Sequence, residues 1–332
     1  MTDARAQARS VPRPDPHSSS SAASAGHLLG LIGMPEARIR ALLDAAARYE
    51  PVACRPETDT GELAGRTIAN LFFEDSTRTR VSFSLAAQRL GARTVDLASG
   101  SSVSKGETIA DTARTVEAMG VSAIVVRARP VGAASIVAGA VRCPVINAGD
   151  GTHEHPTQAL IDAYALSEAH ARTRGWDLSG LRVAMVGDIA HSRVARSGIA
   201  CLSSLGAQVV CIGPPGLVPA SLAELGCRTA HDLDRELASL DAIMMLRVQF
   251  ERHAPSVGSS AGSSGTYRAG YALTAERADR LKPGAVVLHP GPCNRGLEIA
   301  GSVAEGPRSL IRRQVELGVA VRMGVLRTAL GD

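Results

Sequence analysis

Aromatic residues are scarce in this chain of 332 residues: four Phe, four Tyr and one Trp, or 3%. A surface that stacks single-stranded nucleic acid needs exposed aromatic faces, so composition argues against that class. Excess charge is missing too. The formal net charge is +4, from 36 basic and 32 acidic residues. That is too little for a protein that coats DNA, although it suits one that handles small anions. No apolar run approaches the roughly 18 residues of a membrane span. Residues 1–26, rich in Ser, Ala, Pro and Arg, lack the apolar centre of a secretory leader. The six cysteines (Cys54, Cys143, Cys201, Cys211, Cys227 and Cys293) include no C-x-x-C pair. In a chain this long they read as reduced, mostly buried thiols of a cytoplasmic protein.

What is present is ordinary for a globular protein: 45% hydrophobic and 20% charged residues. At roughly 150 residues per domain, the length predicts two domains. Residues 1–26 bury too little to offset the entropy of ordering and predict a disordered tail. An amphipathic helix is expected just after Met34, with Pro35 near its first turn. Beyond it, short apolar runs at 66–73, 93–97, 121–126, 144–147, 181–186, 207–212, 241–246 and 284–288 predict strands. They alternate with helical stretches near 78–90, 107–119, 156–171 and 193–205. Such alternation means parallel sheets covered by helices on both faces. The long helical stretch 154–172 leads to a hinge, and a last amphipathic helix spans about 307–330. Residues 253–270 break the rhythm; rich in Gly and Ser, they read as a mobile surface loop, either a tolerated insertion or a lid.

The densest chemical signal is Phe72-Phe73-Glu74-Asp75-Ser76-Thr77-Arg78-Thr79-Arg80. A strand ends at the two Phe residues and a helix begins among the hydroxyls. Ser and Thr are preferred N-caps, so the bland reading is a good cap followed by two exposed arginines. The functional reading is a phosphate cradle, in which backbone N–H groups, three hydroxyls and two guanidinium groups meet at one helix start. Three further segments weigh toward the second reading. Ser101-Ser102-Val103-Ser104-Lys105-Gly106-Glu107-Thr108 is a polar loop with a single Lys before a helix. Arg127 stands at the carboxyl end of an apolar strand, where ligands sit in open parallel sheets. Asn147 to Gln158 is a Gly-rich turn entering a helix, with His155 and Gln158 on one face. Its His153-Glu154-His155 run suggests zinc only weakly, because the helix starts near Pro156 and no third ligand is evident.

Together these segments resemble the carbamoyl-phosphate-binding half of the transcarbamoylase family. The matching residues are Ser76-Thr77-Arg78-Thr79, Lys105 within Ser-Lys-Gly-Glu-Thr, Arg127, and His155-Pro156-Thr157-Gln158. In the second half, Arg193 follows strand 181–186, while Arg247-Val248-Gln249 follows strand 241–246. The chain then reads His289-Pro290-Gly291-Pro292-Cys293-Asn294-Arg295-Gly296. The last two segments are similar to the aspartate-type branch, whereas an ornithine-type chain is expected to carry His-Cys-Leu-Pro at the latter place. The chemistry agrees: two carboxylates are best clamped by arginines and a lysine, and a cationic side chain wants carboxylates instead.

The resemblance implies an α/β fold of two Rossmann-like domains, each a parallel sheet flanked by helices, with the C-terminal helix packing back on the first. The expected divisions are a tail at 1–26, a carbamoyl-phosphate-binding domain at 27–165 joined by helix 307–330, and an aspartate-binding domain at 166–306. It also implies transfer of a carbamoyl group from carbamoyl phosphate to the α-amine of L-aspartate, a step of pyrimidine synthesis, with no cofactor and no metal. Ser76, Thr77, Arg78 and Thr79 would hold the phosphate, joined by Ser101. Thr79, Arg127 and His155 would face the carbamoyl oxygen; Gln158 and the backbone at Gly291 and Pro292 would face its amine. Arg193, Arg247 and Gln249 would hold aspartate, with Lys105 bridging both substrates. The family plan is a homotrimer in which the loop carrying Ser101 and Lys105 reaches a neighbouring subunit's site. The tail 1–26 is either inert or contacts a partner such as a regulatory chain or a dihydroorotase. The competing readings are a transcarbamoylase for another amino acid, a catalytically silent scaffold subunit, and a nicotinamide-dependent dehydrogenase. The absence of a G-x-G-x-x-G fingerprint opposes the last.

Overall fold

The computed structural model describes residues 26–98, 106–248 and 263–331. Helix α1 (Glu36–Ala53) opens the fold and buries Ile39, Leu42, Leu43, Ala46, Tyr49 and Ala53, the 3–4 spacing of one helical face. Then come β1 (Thr67–Phe72), α2 (Thr77–Arg89), β2 (Arg93–Ala98), α3 (Ile109–Ala118), β3 (Ala123–Ala128), α4 (Ala133–Ala138), β4 (Val145–Asp150) and α5 (Pro156–Ala169). A second run follows: β5 (Arg182–Val186), α6 (Arg193–Ser204), β6 (Gln208–Ile212), β7 (Arg228–Ala230), α7 (Leu233–Glu236), β8 (Ala242–Met245), α8 (Ser264–Tyr271), α9 (Ala275–Asp279), β9 (Val286–Leu288), α10 (Gly301–Ala304) and α11 (Ile311–Leu330).

The strands form two parallel sheets, ordered β2-β1-β3-β4 and β7-β6-β5-β8-β9. Strands β3 and β4 are buried almost throughout, as strands covered on both faces must be, which is why they read as unbroken apolar runs. The last helix does not pack beside its neighbours in sequence. It returns to lie against α1, α2 and α5, as the resemblance implied. Arg313 on α11 ties this bundle by pairing with Glu50 and Glu168. The connection between the sheets is anchored as well: Trp176 is buried, donates from its indole N–H to Asp44 Oδ1 at 2.7 Å, and stands edge-on to Tyr164.

Two expectations need correction. The Gly/Ser-rich stretch is not a loop to its end, because α8 begins at Ser264 (residues 253–262 lie outside the described part). The Ser263 hydroxyl accepts from the Thr266 N–H, and Tyr267 is fully buried against Leu217 and Val248. A cap and one anchoring ring outweigh the helix-poor composition. The C-terminal helix starts at Ile311 rather than 307, since Leu310 first donates its N–H to Val287 O at the edge of β9. Strand β7, only three residues long, and the short helices α7, α9 and α10 lack the length for a periodic signal.

The α1–α11 contact is made possible by Gly324: a Cβ there would lie 2.6 Å from Ala46 N. Gly324→Val is expected to lower stability by about 1–3 kcal/mol through overpacking. Thermal unfolding checks this, and an unchanged midpoint would show that the two helices separate without cost.

Candidate active site

In an open parallel sheet, ligands bind beyond the carboxyl ends of the strands where the strand order reverses. The first sheet reverses between β1 and β3 and the second between β5 and β8. The chain segments leaving these four strands all line one cavity of about 1140 Å³. From the first sheet come Glu74 to Thr79 after β1, Arg127 of β3, and His155 and Gln158 after β4. From the second come Asp188, His191 to Val194, Leu246 and Arg247, and His289 to Cys293.

The start of α2 decides between cap and cradle. Thr108 and Ser192 cap α3 and α6 by accepting from a backbone N–H, but Ser76 at the same position of α2 does not. Its hydroxyl donates instead to Thr79 Oγ1 at 3.0 Å. The first-turn amides of α2 therefore face the cavity with no side-chain cap, a ready anion site. Arg78 is exposed beside them.

Deeper in, Glu74 organises the positive charge. Its carboxylate, 7% exposed, accepts from Arg127 Nη2 at 3.1 Å and from Arg193 Nη2 and Nη1 at 2.6 and 3.0 Å. Arg127 also donates to Ala148 O and Arg193 to Gly151 O. Gly149 makes room for both: at φ +117° it is in a conformation side chains rarely adopt, and a Cβ would meet Arg127 Nη1 at 2.9 Å and Arg193 Nε at 3.0 Å. The role of Glu74 was not read from sequence. Its place directly before the basic and hydroxyl cluster was the available signal.

His155 is 5% exposed, and its backbone N–H donates to Ser197 Oγ at 2.9 Å. Burial, then the guanidinium groups of Arg127, Arg193 and Arg322, hold its pKa well below the usual 6.5. The ring is thus neutral near pH 7 and presents one N–H donor. Glu154 accepts from the Leu31 and Ile32 N–H groups and from Ser197 Oγ, so it is spent on structure rather than on a metal. Among the described residues, no group of three or more His, Cys, Asp and Glu could hold a metal ion.

Of the residues singled out in sequence, Ser76, Thr77, Arg78, Thr79, Arg127, His155, Gln158, Arg193, Arg247, Gly291 and Pro292 meet at this cavity. Arg193 lies against Glu74 rather than reaching out alone. Ser101, Lys105 and Gln249 lie outside the described residues.

Two family models cover most of the chain. "Aspartate/ornithine carbamoyltransferase, carbamoyl-P binding domain" matches residues 26–168, and the corresponding "Asp/Orn binding domain" matches 179–329. The chain belongs to the aspartate/ornithine carbamoyltransferase family. It is 52% identical to the aspartate carbamoyltransferase catalytic subunit of Myxococcus xanthus over 301 residues, 90% of this chain and 98% of that one. It is also similar to the aspartate transcarbamoylase of Trypanosoma cruzi solved with carbamoyl phosphate and aspartate. There the TM-score is 0.79 at 29% identity, over 90% of this chain and 94% of the other. An ornithine carbamoyltransferase of Thermus thermophilus gives 0.78 at 27% identity, over 92% and 99%.

A carbamoyltransferase-family site with a neutral buried histidine makes a prediction about pH. The unfolded chain binds the His155 proton more readily than the folded one, so this group destabilises the fold as pH drops below about 6.5. By NMR, the His155 ring is expected to show no titration between about pH 5.5 and 8. A midpoint near 6.5 would show a solvated ring.

Proposed function

We propose that the chain is an aspartate carbamoyltransferase catalytic chain, which transfers the carbamoyl group of carbamoyl phosphate to the α-amine of L-aspartate and releases phosphate. The reading is carried by one cavity that joins the uncapped start of α2 and Arg78 to Arg193 and Arg247. That charge pattern suits a phosphorylated substrate beside a dicarboxylate. Relatives near half identity named for aspartate support the choice of acceptor.

In the proposed mechanism, Ser76, Thr77, Arg78 and Thr79 hold the phosphate group by backbone and side-chain donors. Thr79, Arg127 and neutral His155 aim donors at the carbamoyl oxygen, where negative charge grows as the amine attacks. Gln158 and the backbone carbonyls at Gly291 and Pro292 accept from the carbamoyl NH2. The C–N bond forms, the C–O bond to phosphate breaks, and the proton of the attacking amine passes to the departing phosphate. No separate protein base is assigned. Arg193, Arg247 and Gln249 hold the aspartate carboxylates. Ser101 joins the phosphate contacts, and Lys105 bridges the two substrates. Both belong to a loop proposed to act in a neighbouring subunit of a homotrimer. The proposal includes a cytoplasmic place in pyrimidine synthesis and the domain division 27–165 with 307–330, and 166–306.

The purified protein is expected to form N-carbamoyl-L-aspartate from carbamoyl phosphate and L-aspartate, and not to carbamoylate L-ornithine; the reverse preference would sink the acceptor assignment. Arg127→Ala is expected to lower kcat about 10²–10³-fold by removing a preorganised donor. Glu74→Gln leaves Arg127 and Arg193 without their shared counter-charge and is expected to raise KM for aspartate as well as lower kcat. Mixing inactive Lys105→Ala and Arg78→Ala proteins is expected to restore activity, and complete absence of recovery would count against a shared site.

A further inference from the structure

Asp162 on α5 is fully buried one turn beyond Gln158, touches no cation, and is not among the residues lining the cavity. Its Oδ1 accepts two hydrogen bonds, from Gln158 Nε2 at 2.8 Å and from Gln314 Nε2 of α11 at 2.7 Å, while buried Oδ2 has no partner. The donor directions of this network follow from one unambiguous group. The backbone N–H of His289 can only donate, and it meets Gln314 Oε1 at 3.0 Å. Gln314 must then turn its NH2 toward Asp162, so Asp162 Oδ1 is an acceptor. Gln158, bonded to the same oxygen, must offer its NH2 there and turn its amide oxygen toward the cavity. On the other arm, His289 Nδ1 accepts from the Gly291 N–H at 2.8 Å, and Nε2 donates to Glu298 Oε1 at 3.2 Å. One buried oxygen thus orients both walls to which the proposed function assigns the carbamoyl NH2.

We propose that Asp162 is a positioning residue that sets selectivity for a carbamoyl over an acyl phosphate, by holding the Gln158 oxygen in the cavity and, through Gln314, the 289–292 loop that supplies the second acceptor. The proposal rests on the carbamoyl-phosphate reading of the site. Burial alone would serve an apolar residue better here, since a buried carboxylate with one empty oxygen costs stability. The same burial raises the Asp162 pKa to about 7. Any proton it takes up resides on Oδ2, which leaves the double acceptor at Oδ1 intact.

The test compares binding of carbamoyl phosphate, acetyl phosphate and inorganic phosphate to the full chain by calorimetry. Acetyl phosphate carries CH3 where carbamoyl phosphate carries NH2, and phosphate has neither. In Asp162→Leu, the preference for carbamoyl over acetyl phosphate is expected to fall about tenfold, the worth of one lost hydrogen-bond acceptor, with phosphate binding within about twofold. Asp162→Asn keeps Oδ1 and is expected to rescue the preference to within about twofold. An unchanged preference in a cooperatively folded Leu variant, or a parallel loss for all three ligands, overturns the proposal. Should that variant not fold, Gln314→Leu carries the test on the loop arm, and an unchanged preference there is equally fatal. Failure of the underlying function looks different: the unsubstituted protein would itself show no preference for carbamoyl phosphate, and the positioning role would fall with it.

Discussion

The carboxylate of Glu74 is the constraint on which this site depends. It leaves the end of β1 in the first sheet and grips Arg193 at the start of α6 in the second, with Arg127 held on the way. A buried ion pair is a weak source of stability, because desolvation offsets most of its attraction. Its value here is geometric. Removing one partner of such a cluster strands the others, at a cost of about 3–5 kcal/mol, so the two sheets are held in the one arrangement that keeps three charges together. A guanidinium has five N–H donors. The contacts of Arg193 to Glu74 and Gly151 take up three of them, so the bridge does not exhaust its donors.

The surrounding electrostatics are consistent with that arrangement. Arg78, Arg127, Arg193, Arg247 and Arg322 all border one cavity, and the field of three of them, Arg127, Arg193 and Arg322, reaches the buried His155 ring. His155 is kept neutral by that field as well as by burial. A neutral imidazole there has one directed N–H donor and adds no further cation. Arg322, fully buried and stacked over Phe83 at 5.1 Å, is itself pulled down to about 9 by burial and by Arg127. The arginines lining the cavity outnumber its acidic residues, Glu74, Asp75 and Asp188, which suits anionic substrates.

How far the sequence was legible follows from the range of each interaction. The eight strands anticipated from apolar runs all form, mostly within one or two residues, because a strand buried on both faces needs no partner to be recognised. The cavity-lining segments were equally visible, since a parallel sheet puts its chemistry where an apolar run stops. What stayed hidden depends on contacts between distant residues. Tyr267 holds α8 only because Leu217 and Val248 are brought beneath it. Gln314 reaches Asp162 across 152 residues, and no local pattern on either helix marks the pair. Glu74 sat inside a recognised motif, yet its partner Arg193 is 119 residues away.

The choice of acceptor is a side-chain matter within a shared frame, because the fold is common to relatives named for aspartate and for ornithine. The backbone delivers the ends of β5 and β8 to the cavity whichever amine arrives. Arg193 and Arg247 border that cavity, and the Glu74 carboxylate beside them is already committed to two guanidinium groups, so a cationic group there would meet like charge. A dicarboxylate meets the opposite situation, in which its own charges relieve the repulsion among the arginines. Discrimination of this kind works by penalising the wrong partner as well as by rewarding the right one.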